Sequence, residues 1–359
     1  MTQPDDPVLD AVTILLPRLM GLLDTLRMIA RQMHPPHLPA LVETIGEQDA
    51  ALQAALQDLH AAAWPEHLAP FRDQLARASD LVLRACTGLR EAAGSADGRL
   101  GAYRALRLQS RAVEALYPLA SALPSVGRWF LNPPQRDDAA LVERLRHPGP
   151  DTGVIHANND TGTRGGFSVY VPETYDPAEP CPLVMALHGG SGHGRLFLWS
   201  WIREARGRGL IVVAPTATGD TWSLMDPDVD TAHIEQILNR VRDRWQVDPS
   251  RMLLTGMSDG GTFTLLSGLS EDSPFTHLAP VAASFHPMLV AVSHPRRLAG
   301  LPIYLVHGAL DWMFPVQVGR TANQALIAGG ARVTYREIAD LSHTYPTDEN
   351  DRIVDWLIG

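Results

Sequence analysis

The sequence contains no lysine; all thirty of its basic residues are arginine. Such a bias has a bland source in genomic base composition, yet the absence excludes chemistry. A Ser-Lys dyad, a Schiff-base lysine and a P-loop lysine each need an amine that this chain lacks. Cysteine is nearly as scarce. Cys86 and Cys181 lie far apart, so neither a disulfide framework nor a C-x-x-C metal or redox pair is expected. Positive charge is in deficit, with a net charge of −10 at pH 7. Residues 1–150 hold 15 Arg against 17 acids, and residues 151–359 hold 15 Arg against 23. Phosphate binding needs a basic face, so nucleic acid is not an expected partner. A long hydrophobic run is missing too, because Asp10, Pro17 and Arg18 break the apolar stretch Val8–Leu23. The first residues, Met-Thr-Gln-Pro-Asp-Asp-Pro, are acidic where a secretory signal would be basic. Neither stable membrane insertion nor export is expected, and the cytoplasm is the expected compartment.

What is present divides into two textures. Across residues 8–146, Ala, Leu, Arg and Gln dominate and apolar residues recur at three and four, as in Leu52, Leu56 and Leu59. That spacing lays an apolar stripe along a helix. Breaks at 33–36, 64–65, 94–98 and 131–134 divide the region into four or five helices, an all-α helical bundle expected over 1–150. No repeat at a fixed period is visible. After the Pro-Gly-Pro at 148–150 the pattern changes. Short apolar runs at 167–171, 183–187, 210–214, 252–255, 281–284, 303–306 and 333–338 alternate with helical segments near 195–207, 229–245, 261–269, 317–329 and 348–358. Runs of that kind suit strands covered on both faces. The fold expected for 151–359 is therefore α/β, a doubly wound and mostly parallel sheet with right-handed crossovers.

The chemistry concentrates in this second half. Gly256-Met257-Ser258-Asp259-Gly260 is a G-x-S-x-G pentapeptide between an apolar run and a helix-like run, the strand–turn–helix setting that gives the motif meaning. A serine hydroxyl is a poor nucleophile near neutral pH and needs a positioned base. His343, on the loop after the last strand, is the expected base, with His307 as the rival. Asp311, at the tip beyond the run 303–306, is the expected acid that orients the imidazole. Asp340 is the alternative acid. The order Ser, Asp, His differs from that of chymotrypsin and subtilisin. An oxyanion needs preorganised donors; the N–H of Asp259 and that of Gly190, in His188-Gly189-Gly190-Ser191-Gly192, are the expected pair, with Gly189 and Ser191 as near alternatives. Trp222 and Trp312 are the aromatics expected to line a substrate pocket beyond the strand ends. No histidine, cysteine and carboxylate cluster has metal-ligand spacing, so no metal is expected.

Taken together, His188-Gly-Gly, Val212-Val-Ala-Pro-Thr216, Gly256-Met-Ser-Asp-Gly-Gly261, His307-Gly-Ala-Leu-Asp311 and Ser342-His343 resemble the α/β-hydrolase superfamily. The likeness is to its polyhydroxybutyrate depolymerase, feruloyl esterase and carboxylesterase/phospholipase-like branch, and it covers about residues 151–359. It implies hydrolysis of small-molecule carboxylic esters without a cofactor, with Ser258 as nucleophile, Asp311 as acid and His343 as base. A peptidase or amidase on the same fold, and a non-catalytic binding protein on a degenerate hydrolase domain, are the competing readings. Only about sixteen residues separate Ser284 from Leu301, leaving little room for the usual cap after that strand. Two roles stay open for the helical bundle: a lid over the substrate pocket, or a cover for the sheet's back face or a homo-oligomer contact.

Overall fold

The computed structural model describes residues 6–95, 98–225 and 227–359. Residues 1–5, and two residues of the expected break at 94–98, lie outside that set. The chain divides into two compact units, Met1–Phe130 and Leu131–Gly359.

The first unit is helical. Its long helices are Pro7–Gln32, Gln48–Ala61, Ala69–Ala93 and Gly98–Leu116, with short ones at Leu38–Glu43 and Pro124–Trp129. Pro17 lies inside the first helix without ending it. An interior proline costs about 3 kcal/mol or more, but here a continuous stripe of Leu15, Leu19, Leu22, Leu26 and Ile29 is fully buried along that helix. Burial of each such side chain returns roughly 1.5–3 kcal/mol, enough to carry the helix through. Cys86 lies in the core of this unit, where burial pushes its thiol up to about 12 and leaves it inert at neutral pH. Among the described residues, no helix is long and apolar enough to cross a membrane.

The second unit begins earlier than the composition shift at 148–150 suggests. The helices Pro133–Arg136 and Ala139–Arg144 group with it, not with the bundle. Leu131, Leu141 and Leu145 form a small apolar cluster there, and Asn132 donates to the buried Glu204 carboxylate. The unit's centre is one eight-stranded sheet: β1 Gly153–Ala157, β2 Phe167–Val171, β3 Cys181–Leu187, β4 Ile211–Pro215, β5 Val247–Met257, β6 His277–Val281, β7 Pro302–Gly308 and β8 Arg332–Ile338. The strand order is β1-β2-β4-β3-β5-β6-β7-β8. β2 runs antiparallel to both β1 and β4, and every other pairing is parallel.

Strands β3, β4, β6 and β7 are buried over most of their lengths and β5 over residues 252–256, which is why these stretches read as continuous apolar runs. Three strands differ from the sequence expectation, β5 by starting five residues before the run at 252–255. β1 is half-buried throughout, lacks a long apolar run, and went unread. β6 ends at Val281, where the sequence reading begins it; Ala282 turns away with φ 47°. The connection to β7 therefore spans residues 282–301 and carries only two short helices, Met288–Val292 and Pro295–Leu298. Because β3, β5, β7 and β8 are parallel, the loops that follow them emerge at one edge of the sheet. That is the edge where ligands bind in open α/β sheets.

Candidate active site

Ser258 stands between β5 and the helix Asp259–Gly268, with φ 55° and ψ −119°. This is left-handed backbone on a residue that carries a side chain, a conformation that persists only where surroundings enforce it. The enforcement is visible. The Ser258 N–H donates to the carbonyl of Val281 at 2.9 Å. Beneath the turn, a Cβ added to Gly260 would meet the carbonyl oxygens of Leu187 and His188 at 2.5 Å, so only glycine lets the helix start so close to β3.

Three side chains from separate loops converge on that serine. Ser258 Oγ lies 3.0 Å from His343 Nε2, and His343 Nδ1 lies 2.8 Å from Asp311 Oδ2. The other carboxylate oxygen, Asp311 Oδ1, accepts from the N–H groups of Met313 at 2.9 Å and Phe314 at 2.7 Å. The loops bearing Asp311 and His343 are tied together, since Ala309 N–H donates to Ile338 and Leu310 N–H to Leu341. All three side chains are buried, with Ser258 and Asp311 7% exposed and His343 4%. Phe314 and Trp312 meet the His343 ring edge-on, at 5.3 Å and 6.2 Å between centroids.

The rivals do not join that line of hydrogen bonds: His307 Nε2 lies 3.8 Å from Asp311 Oδ2, beyond hydrogen-bond reach. His307 is fully buried, and its Nε2 donates to the Phe314 carbonyl at 2.8 Å, which shapes the loop that presents Asp311. Asp340 is exposed at the surface.

The loop 188–192 lies over the serine. A Cβ built on Gly189 would sit 3.6 Å from Ser258 Cβ, and one on Gly190 only 2.6 Å from Asp259 Oδ2. Among the N–H groups of this loop, that of the candidate donor Ser191 is already committed to the Asp220 carbonyl at 3.1 Å, and that of Gly192 to the Gly189 carbonyl at 2.9 Å. Ser191 is thereby excluded. Asp259 is the first residue of its helix, so its N–H has no acceptor within the helix and sits at the positive end of the helix dipole.

Trp222 does not have the pocket-lining position expected of it. It is 2% exposed within the main apolar core, stacked at 5.3 Å on Phe263, and its Nε1 donates to the His188 carbonyl at 2.7 Å. Its indole needed a partner once buried, and the backbone of the glycine loop supplies one. Trp312 is half-buried beside His343. The His188 ring, equally buried, is pushed down to about 4, chiefly by desolvation. It is neutral above that pH: Nε2 accepts from Ala217 N–H at 3.1 Å while Nδ1–H donates to the Gly189 carbonyl at 2.7 Å. Sequence reasoning missed this bracing, because a histidine before two glycines carries no sign of what its ring touches. Among the described residues, no group of three or more His, Cys, Asp or Glu side chains is placed to hold a metal ion.

Comparison with known proteins gives consistent matches. The family described as Phospholipase/Carboxylesterase matches residues 228–357, a span containing Ser258, Asp311 and His343. A bifunctional acetylxylan esterase/xylanase from Neocallimastix patriciarum is 28% identical over 156 residues, 42% of this chain and 22% of that protein. Feruloyl esterase C from Emericella nidulans is 26% identical over 177 residues, 47% of this chain and 63% of that protein. The chain thus spans less than two thirds of the length of either curated relative. Among solved structures, a thermostable esterase matches with a TM-score of 0.45 at 22% identity, over 59% of this chain and 60% of the other. An S-formylglutathione hydrolase from Agrobacterium tumefaciens matches with a TM-score of 0.46 at 18% identity, over 57% of this chain and 93% of the other.

Proposed function

We propose that this chain, which is similar to the Phospholipase/Carboxylesterase family over residues 228–357, is a serine esterase of the α/β-hydrolase superfamily that cleaves small-molecule carboxylic esters through an acyl-enzyme. The observation that carries this reading is the continuous line of hydrogen bonds from Ser258 Oγ through His343 to Asp311.

In this mechanism Ser258 Oγ attacks the ester carbonyl carbon while His343 Nε2 takes its proton. Asp311 holds His343 in the tautomer with hydrogen on Nδ1 and stabilises the imidazolium that forms. The tetrahedral oxyanion is held by the backbone N–H groups of Asp259 and Gly190, each donor worth about 3–4 kcal/mol of barrier. Collapse of the adduct expels the alcohol, which receives the proton from His343. Water then enters, gives a proton to the same nitrogen and attacks the acyl-serine. A second collapse releases the carboxylic acid and restores the Ser258 hydroxyl. Every proton passes through one nitrogen, so the cycle needs no metal and no cofactor. Trp312 and Phe314, packed against His343, form an apolar wall for the substrate.

Leaving-group preference tests the ester assignment. With a p-nitrophenyl ester and the matching p-nitroanilide offered to the same enzyme, saturable hydrolysis of the ester and much slower cleavage of the anilide are expected. Anilide turnover equal to or faster than ester turnover replaces esterase with amidase or peptidase on the same fold. Acyl groups of graded length in the ester series then report the depth of the acyl pocket.

A further inference from the structure

The loop expected to supply an oxyanion donor has two bonds of its own, from Gly192 N–H and His188 Nδ1 to the Gly189 carbonyl, and takes the rest of its support from outside. His188-Gly189-Gly190-Ser191-Gly192 has little side chain with which to fix itself, and its contacts run to the segment 217–223 after β4. Ala217 N–H donates to His188 Nε2 at 3.1 Å, and Trp222 Nε1 donates to the His188 carbonyl at 2.7 Å. Ser191 N–H donates to the Asp220 carbonyl at 3.1 Å. Thr221 Oγ1 donates at 2.6 Å to Asp259 Oδ2, the carboxylate that lies against Gly190. Arg164 adds a clamp, with Nε on the Gly219 carbonyl and Nη1 on that of Gly192, both at 2.7 Å.

Besides the core packing of Trp222 and the Arg164 contact, the two ends of segment 217–223 share one carboxylate. Asp230 is fully buried at the start of the helix Asp230–Arg242. Its Oδ1 accepts from the N–H and the hydroxyl of Thr218, each at 3.0 Å. Its Oδ2 accepts from the N–H of Ser223 at 2.8 Å and from its hydroxyl at 3.0 Å. Asp230 is not needed to cap its own helix, because Asp228 accepts from the N–H groups of Asp230 and Thr231. Both oxygens are left for the segment's two ends, in a site dry enough that each charge-assisted bond counts for more than at the surface.

We propose that Asp230 is a positioning residue for ester hydrolysis, pinning both ends of segment 217–223 so that this segment sets the place of the oxyanion loop over Ser258. The proposal rests on the serine-esterase reading above. Asp230 touches neither substrate nor the reacting atoms. Its effect is exerted in the transition state, because only there does the displaced loop have an oxyanion to bind.

The test uses the full chain and p-nitrophenyl acetate. Asp230→Asn turns two of the carboxylate's acceptor positions into donors that face donors. A kcat about 10- to 100-fold lower is expected, with KM within about threefold, since a fully lost donor costs roughly 10²–10³ in kcat. Affinity for a trifluoromethyl ketone, whose adduct with serine carries an oxyanion, should fall in parallel with kcat. Thr218→Val/Ser223→Ala removes two of the four bonds without burying a new donor, and decides the matter if Asp230→Asn does not fold. It is expected to lower kcat in the same sense by a smaller factor. Unchanged kcat per folded molecule in either folded variant, even with a lowered melting temperature, overturns the proposal by reducing Asp230 to a structural residue. A raised KM at unchanged kcat overturns it as well. Absence of Ser258-dependent hydrolysis in the unmodified enzyme overturns instead the esterase reading beneath it.

Discussion

Ser258→Ala is expected to lower kcat for ester hydrolysis by about 10⁶-fold while the protein stays folded. The size follows from the way the site is built. The hydroxyl sits on strained backbone within 3.0 Å of His343 Nε2, and the alanine methyl offers neither a nucleophile nor a partner for that nitrogen. What survives is attack by water, aided only by oxyanion stabilisation and binding, which leaves roughly 10³–10⁴ over the uncatalysed reaction. The replacement should also be well tolerated, because the Ser258 N–H keeps its bond to Val281 and alanine is smaller than serine. Rates measured with burst titration of the unmodified enzyme, and a melting curve for each protein, check both halves. A variant that keeps a tenth or more of the original kcat places the nucleophile elsewhere.

The second large effect is expected at Asp311→Asn, with kcat about 10⁴-fold lower at neutral pH. The two carboxylate oxygens have different neighbours. Oδ1 faces two N–H donors, from Met313 and Phe314, while Oδ2 faces His343 Nδ1. An asparagine must give its carbonyl oxygen to the two N–H groups, since an amino group there would meet donors on both sides. Its NH₂ is then left pointing at His343, and Nδ1 can answer only as an acceptor. The ring's proton moves to Nε2, the atom that should take the proton of Ser258. Geometry is preserved and the tautomer is wrong. Loss of activity with an unchanged melting temperature is the expected pair of results. Asp340→Asn, at an exposed position, should leave kcat within about twofold, as surface substitutions usually do. The reverse outcome for the two aspartates would reassign the acid.

The parts of this molecule that sequence made legible are those under the tightest steric or pairing demand. The elbow could be read because its glycines answer a backbone clash, as at Gly260, that no other residue escapes. The buried parallel strands could be read because both faces are covered, so β3, β4 and β7 appear as unbroken apolar runs. β6 was displaced by four residues because Pro280 interrupts its run and the apolar stretch continues into the turn at Ala282. β1 escaped notice because Gly153–Ala157 is half-buried and carries no run at all. The division between the units was drawn at Pro-Gly-Pro 148–150, where composition changes, whereas the compact units of the structure divide at 130–131. Trp222 and Asp230 mark the deeper limit. An aromatic after a strand looks the same in sequence whether it lines a pocket or braces a loop. An aspartate in the first turn of a helix looks like an ordinary partner of the dipole, and nothing local announces that Thr218 and Ser223 both end on it.

The central claim is that Ser258 is a live nucleophile served by His343 and Asp311. Its most direct test is covalent. The intact enzyme, incubated with a fluorophosphonate and followed by mass spectrometry of the whole chain and of its peptides, should gain one phosphonyl group, located on Ser258, and lose ester hydrolysis in proportion. His343→Ala should slow that labelling by orders of magnitude, since the hydroxyl then keeps its proton. A chain that hydrolyses esters but takes no label, or takes it on a residue other than Ser258, contradicts the account.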